Sequence, residues 1–507
     1  MTLARTMSVA VLGVEGQLVE IQADLADGLP GVTMIGLPDA ALHEARDRIR
    51  AAIVNSGEAW PTRRMTLALL PATLPKRGSM FDVALAVGVL AAAGAVPADH
   101  LADVVLLGEL GLDGRLRSTR GVLPAVIAAA RTGIRRVVVP AANLAEAALV
   151  PGLDVRGAVD LADLVAFLRG EPERAVTGPP VRSRHERPGP DLRDVVGQAV
   201  GRRAVEVAAA GGHHLLFTGP PGSGKTMLAE RLPGVLPPLG IDEALEVTAV
   251  HSVAGLLSAD APLLRRPPYQ APHHTASAAA LVGGGSTHAR PGAVSLSHRG
   301  ILFLDEAPEF QSGVLDALRQ PLESGEVAIA RSGGVARYPA RFQLVMAANP
   351  CPCAAPAGEA ECRCTSTAKR RYFGRLSGPL LDRIDLQVGL QPVAPGDLLD
   401  GLSAAESSER VAARVAAARS VAAERLRGTG WRINADVPGP QLRTRWRLPA
   451  SITAAADVRL DRGQLSARGY DRILRVAWSV GDLAGHDRPT RDDIDEAVAL
   501  RSRWSSL

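Results

Sequence analysis

Short β-branched runs alternate with Ala-rich stretches of helical spacing through the first 170 residues. Residues 32–35, 66–70, 104–107 and 136–139 read as strands, and residues 40–56, 81–93 and 122–132 as helices. The pattern predicts an α/β or α+β domain over residues 1–170. Residues 171–190 carry Pro, Gly and Arg without periodicity and read as a linker. From 191 to 398 strands and helices alternate again, as in a parallel sheet with crossover helices. Beyond 399 the pattern is helical. Residues 409–427 place Val411, Val415 and Val421 near one face, with Arg414 and Arg425 elsewhere. Residues 465–483 and 490–503 predict two more helices, the last opened by Pro489-Thr490.

Composition narrows the class. The chain has 507 residues, about three domains at roughly 150 residues each. Hydrophobic residues at 47% and charged residues at 22% exclude a wholly disordered chain. With aromatics at 3%, the cores must be built from Ala, Val and Leu. A net charge of +4 is small for this length, so any nucleic-acid contact has to come from a local patch. Four cysteines cannot staple a chain of this size. The longest apolar stretch, residues 83–98, is Ala-rich, contains Gly88 and Gly94, and falls short of about 18–20 strongly apolar residues. The opening apolar run is cut by Glu15 and has no small-residue cleavage site. A cytoplasmic protein without membrane contact is expected.

Three segments carry chemistry. Gly219-Pro220-Pro221-Gly222-Ser223-Gly224-Lys225-Thr226 follows an apolar run and opens a helical one. That strand–loop–helix setting is what a phosphate loop needs: glycines admit phosphate oxygens to the backbone, and the helix start supplies N–H dipoles. Lys225 would neutralise β/γ-phosphate charge and Thr226 would hold Mg²⁺. Residues 301–304 form a buried strand that ends in Asp305-Glu306. Paired acids there are costly unless a metal or substrate uses them. Asp305 would join the Mg²⁺ shell and Glu306 would polarise the attacking water. Residues 342–348 form a third strand ending in Asn349-Pro350; the Asn349 amide can orient water beside the γ-phosphate, although an isolated Asn-Pro is an ordinary turn.

All four cysteines fall in one loop, as Cys351-Pro-Cys353 and Cys362-Arg-Cys364. Four thiolates suit a closed tetrahedral structural Zn²⁺ site, with free thiols or a redox-labile pair as alternatives. The loop is followed by Lys369-Arg370-Arg371-Tyr372-Phe373, a run that is solvated by default.

These motifs, with residues 271–285, 376–386 and 465–483, resemble the ComM/YifB family of magnesium-chelatase-like AAA+ ATPases across nearly the whole chain. The resemblance implies a P-loop AAA+ core with a parallel sheet over 191–398, a four-cysteine loop inserted at 351–364, and a helical lid over 399–507. It also implies ATP and Mg²⁺ as cofactors, and a homo-hexameric ring with active sites shared between neighbours. By motif, Arg383 corresponds to the arginine finger and Arg468 to the lid arginine, with Arg472 and Arg475 as competitors. Residues 326–341 read as two strands around Ser332-Gly333-Gly334, a hairpin that in this clade enters the pore. Arg331 and Arg337 are then candidates for a phosphate backbone; an ordinary solvent-facing hairpin is the alternative. His273-His274 matches a family signature whose role stays open.

Residues 1–170 resemble the Lon proteolytic domain, through Lys76-Arg-Gly-Ser79-Met80 and Gly108-Glu109-Leu-Gly. Where that family has its serine this chain has Met80, with Ser79 one place early, and where it has its lysine base this chain has Leu123. Leucine cannot abstract a proton, so a scaffold without peptidase activity is expected. The ComM/YifB resemblance implies a DNA motor, a helicase or branch-migration enzyme in homologous recombination or natural transformation, acting on single-stranded or branched DNA. A chaperone-like remodeller of a protein partner, as in the magnesium chelatase motor subunit, is the alternative.

Overall fold

The computed structural model describes residues 3–36, 40–76, 78–101, 103–171, 176–177, 189–258, 262–285, 289–331, 334–355, 361–393 and 405–502. Two large sheets organise it. The first has eight strands, in the order Val176–Thr177, Asp154–Ala158, Arg136–Pro140, Val104–Leu106, Leu3–Leu12, Glu15–Ala26, Arg64–Leu70 and Gly31–Ile35. Leu3–Leu12 and Glu15–Ala26 pair antiparallel from end to end. Val19, Ile21, Ala23 and Leu25 alternate inward, the two-residue period of a half-buried strand. Helix Asp82–Ala92 lies against this hairpin with every residue buried. That explains the apolar stretch at 83–98: a helix apolar all round belongs in an interior. No helix among the described residues is long and apolar enough to cross a membrane. Within the segment expected to be a linker, Val176–Thr177 adds an edge strand beside Arg156 and Gly157. Residues 172–175 and 178–188 lie outside the described residues.

The second sheet is parallel throughout, in the order Tyr269–Gln270, Ile301–Leu304, Gln343–Ala348, Leu215–Thr218 and Leu386–Gly389. Its three central strands are fully buried, which is why they read as continuous apolar runs instead of alternating ones. Leu215–Thr218 sits between a strand that follows it by more than a hundred residues and the last strand of the sheet. That is a switch in strand order, where the carboxyl ends of α/β sheets open into a crevice.

Helices Ser408–Arg425, Ala450–Asp461, Ala467–Ala484 and Arg491–Ser502 share one core with this sheet. On the first of them Val411, Val415, Ala418 and Ala422 are buried, while Val421 is 48% exposed. The expected Val421 face is therefore corrected: six residues beyond Val415 a side chain has rotated past the core, and alanines fill the stripe. Arg425 is not peripheral either. It pairs with buried Asp482 at 2.5 Å and stacks 4.4 Å over Trp478.

Two contacts among the described residues show how the two halves meet. Helix Ile241–Ala254 of the second half buries Ala249 in a core formed by the first. At its end, Gly121 N–H donates to Ser252 O at 3.2 Å, and the Ser252 hydroxyl donates to Glu146. Glu146 also accepts from Leu123 N–H at 2.9 Å. The second contact is the tight turn at Gly13. Its φ is +66°, and a Cβ there would collide with the backbone of Arg337.

Candidate active site

The site forms where three parallel strands end. Leu215–Thr218 runs into the 219–226 loop, and helix Lys225–Val235 starts immediately after Gly224. Gly222 and Gly224 adopt φ of +76° and +84°, the left-handed region that side chains avoid. A Cβ on Gly219 would lie 2.7 Å from Leu390 O and 2.7 Å from Ser223 Oγ, so this corner closes only around glycine. The Ser223 hydroxyl is buried without a hydrogen-bond partner.

Lys225 Nζ donates to Gly219 O at 2.7 Å, Pro220 O at 2.9 Å and Asn349 Oδ1 at 3.1 Å. Burial pulls this ammonium below the usual lysine range, opposed by the nearby Asp305 and Glu306 carboxylates. Thr226 Oγ1 donates to Asp305 Oδ2 at 2.8 Å. Asp305 Oδ1 accepts from the Glu306 N–H at 2.9 Å. Glu306 itself has φ of +50°, a strained conformation for a non-glycine residue and one that recurs at functional sites. Lys225, Thr226, Asp305, Glu306 and Asn349 thus come together from separate sequence segments.

The histidine pair has a place in this site. His274 Nδ1 lies 3.3 Å from Glu306 Oε2. His273 stacks against His274, with ring centroids 4.1 Å apart, and its own Nδ1 meets Thr275 Oγ1 at 2.9 Å. Sequence offered no partner for His274, because the contact joins residues on two different strand ends.

Arg383 and Arg468 fall together elsewhere. Arg383 pairs with Glu323 and donates to Pro379 O, and its Nε is buried without a partner. Burial lowers its pKa, and neighbouring Arg319, Arg468 and Arg472 lower it further. The lid competitors are already engaged: Arg472 pairs with fully buried Asp385 at 2.5 Å, and Arg475 caps Val437 O at 2.7 Å. Arg468 is exposed. Glu323 carries no motif signal; only the fold reveals it.

The hairpin is present as Glu326–Arg331 and Gly334–Pro339, paired antiparallel, with Ser332 and Gly333 outside the described residues. Arg331 donates to Gly285 O at 2.8 Å, and Arg337 pairs with Glu326 at 2.7 Å while remaining 53% exposed. Of the residues compared with a protease site, Leu123 is fully buried, Lys76 is buried with Nζ on Pro71 O, and the Ser79 hydroxyl is engaged by Glu109.

The cysteines assemble. All four Sγ atoms lie within 4.8 Å of one another, with Cys351 buried and the rest partly or fully exposed.

Known proteins resemble this chain over most of its length. Residues 191–398 match the family described as magnesium chelatase, subunit ChlI. Residues 21–143 match subunit ChlI of Mg-chelatase, and residues 405–501 match its C-terminal family. The chain is 58% identical over 503 residues to an uncharacterized protein of Mycobacterium tuberculosis, covering 99% of both chains. It is 42% identical to the uncharacterized protein YifB of Salmonella typhimurium over 99% of this chain and 97% of that one. The competence protein ComM of Haemophilus influenzae is 40% identical over 99% and 98%. A 169-residue stretch is 30% identical to the Lon protease of Mycolicibacterium smegmatis, 31% of this chain and 21% of that one. The N-terminal region is Lon-like, the core is AAA+, and the chain belongs to the ComM/YifB family of magnesium-chelatase-like AAA+ ATPases.

Proposed function

We propose that the protein is a ring-forming, Mg²⁺-dependent ATPase that works as a DNA motor, a helicase or branch-migration enzyme of recombination or natural transformation. The observation that carries the ATPase part is the convergence of Lys225, Thr226, Asp305, Glu306 and Asn349 at adjacent ends of one parallel sheet. In this reading the 219–226 backbone and Lys225 hold the triphosphate. Thr226 and Asp305 fit Mg²⁺, which favours one or two carboxylates completed by phosphate and water. When bound, the ion neutralises phosphate charge. Glu306 polarises the attacking water and Asn349 orients it.

Arg383 serves the neighbouring protomer's γ-phosphate as the arginine finger, and Arg468 acts as the lid arginine. Supporting that, Arg319, Arg468 and Arg472 lie near Arg383, which pairs with the exposed Glu323, and the Arg383 Nε is unpartnered. Such a patch attracts an anion, and an arginine finger is worth about 10³–10⁵ in rate. The assembly is a homo-hexamer, and the chain divides at 1–170, 171–190, 191–398 and 399–507. Cys351, Cys353, Cys362 and Cys364 hold structural Zn²⁺. The N-terminal region is a scaffold without peptidase activity, since Leu123 stands buried where a base is required. The site of action is the cytoplasm.

DNA is supported by the full-length likeness to a competence protein and by the exposed hairpin arginine Arg337. The test is ATP turnover and strand movement with single-stranded and branched DNA. Stimulation and strand displacement are expected. ATP turnover that ignores every DNA form and rises with a protein partner supports the second reading, a chaperone-like remodeller. That reading draws on the pairing of Arg337 with Glu326 and of Arg331 with a backbone carbonyl, which leaves the hairpin less free charge than its sequence suggests.

A further inference from the structure

The cysteine cluster is attached to the catalytic centre on both of its arms. On one side, Cys351 follows Asn349 by two residues and is 2% exposed. The Asn349 side chain is the group that accepts from Lys225 Nζ. On the other side, Cys364 is followed directly by Thr365, whose hydroxyl caps helix Ser366–Phe373. That helix returns to the same place. Its Tyr372 is buried in the neighbourhood of Asn349, Glu306, Glu309 and Cys351. Just past the helix, Arg375 Nη1 donates to Pro308 O and Glu309 Oε2, both at 2.9 Å. Those two residues belong to the turn that follows Glu306.

The four sulfurs are already gathered for one ion. Cys351–Cys353, Cys351–Cys362 and Cys353–Cys362 Sγ separations are 3.0, 3.4 and 3.8 Å. A tetrahedral ion with bonds of about 2.3 Å to sulfur sets its ligands roughly 3.8 Å apart. The four come from two short arms separated by a loop, so an ion held there joins the start of the segment to its end. Without it, the two arms meet through thiol contacts such as Cys351–Cys362 and Cys353–Cys362.

We propose that the Cys351, Cys353, Cys362 and Cys364 site acts as a pin for Asn349: a thiophilic divalent cation such as Zn²⁺ clamps the two arms, fixes helix Ser366–Phe373 against the turn after Glu306, and, with Cys351 two residues past Asn349, holds the Asn349 amide at the reacting phosphate. Metal occupancy therefore sets the rate of hydrolysis while leaving nucleotide binding to the 219–226 loop. The inference rests on the ATPase reading above, in which Asn349 orients water. Its physical basis is the steep dependence of such steps on placement, where a displacement of about 1 Å costs on the order of a hundredfold in rate.

The experiment uses the full-length protein, purified without a histidine tag, with metal content, nucleotide affinity, turnover and backbone hydrogen exchange all measured. About one Zn per chain is expected. Cys353→Ser combined with Cys364→Ser avoids the buried Cys351; it should lose the metal and exchange faster at residues 343–355. Its kcat should fall by about tenfold or more with affinity for a Mg–ATP analogue unchanged, and stripping and restoring Zn²⁺ on the wild type should reproduce the loss and its reversal. Wild-type kcat in the metal-free double variant overturns the pin, as does a parallel loss of nucleotide binding and turnover. A wild type without bound metal overturns it as well. Wild-type protein that never hydrolyses ATP, or Glu306→Gln that hydrolyses it normally, overturns the ATPase reading instead, and the metal content and exchange data separate the two failures.

Discussion

At the scale of single residues, Glu306 is held by geometry as much as by sequence. Its backbone sits in the left-handed region, its N–H is tied to Asp305, and its carboxylate faces His274. Glu306→Gln keeps the shape and removes the basic oxygen. It should bind a Mg–ATP analogue normally and lower turnover by about a hundredfold or more; equilibrium binding and phosphate release on one preparation check this. In the proposed reaction His274 would act through Glu306, which its Nδ1 meets at 3.3 Å. His274→Ala should reduce kcat by about tenfold without changing nucleotide affinity, whereas an unchanged kcat would reduce the pair to an incidental contact. Lys225 donates to two loop carbonyls and to Asn349. Lys225→Met therefore removes a buried charge whose neighbours include Asp305 and Glu306, and should abolish nucleotide binding outright in the same assay.

At the scale of elements, helix Ile241–Ala254 carries more than its own fold. One face enters the N-terminal core, and another holds the approach to the strand that ends in Asp305. Glu246 accepts from His298 Nε2 at 3.2 Å, while His298 Nδ1 accepts from Arg341 N–H at 3.0 Å. The second bond fixes the tautomer, leaving the proton on Nε2 to donate. The His298 hydrogen bond, joined by Arg299 and opposed by partial burial, holds the Glu246 carboxyl down at about 2 against an ordinary 4.5. A folded-state pKa below the unfolded one stabilises fully above the unfolded value and stops contributing as pH falls through the folded one. The contribution of Glu246 should thus fade between pH 4.5 and about 2. Glu246→Gln should flatten acid unfolding across that window, read by circular dichroism against pH.

At the scale of the whole molecule, the Lon-like region is built into the AAA+ core and not merely tethered to it. Ser252 supplies both a carbonyl to Gly121 and a hydroxyl to Glu146, and Glu146 simultaneously caps the start of helix Val122–Arg131 through Leu123 N–H. Ser252→Ala leaves a buried acceptor short of a donor, at a cost of about 1–3 kcal/mol. Faster hydrogen exchange in helix Val122–Arg131 with unchanged secondary structure is the expected signature. The Gly13 turn braces the arginine hairpin at Arg337. Gly13→Val meets both an unfavourable φ and the Arg337 backbone, so it should displace the hairpin. Reduced stimulation by DNA with basal ATP turnover retained is the outcome that ties this brace to the proposed motor.

Much of the chain was legible as a string, for a physical reason. The loop at 219–226 is local: its glycines, lysine and threonine are consecutive, and the backbone geometry they need depends on those residues alone. The Asp305-Glu306 and Asn349 strand ends were legible because fully buried strands must be apolar, so the polar residues that end them stand out. The clustering of four cysteines was visible for the same local reason. Tertiary structure alone decided the rest. Val421 lies outside the buried stripe of Val411, Val415, Ala418 and Ala422, and the fold showed that alanines complete that stripe. Arg425 turned inward because Asp482 and Trp478, more than fifty residues away, could receive its charge. His274 met Glu306 and Ser252 met Glu146 across separations that no periodicity encodes. Sequence determines which short segments can do chemistry, since that depends on neighbours along the chain. Which of those segments support one another depends on neighbours through space, and only the folded sheets supply them.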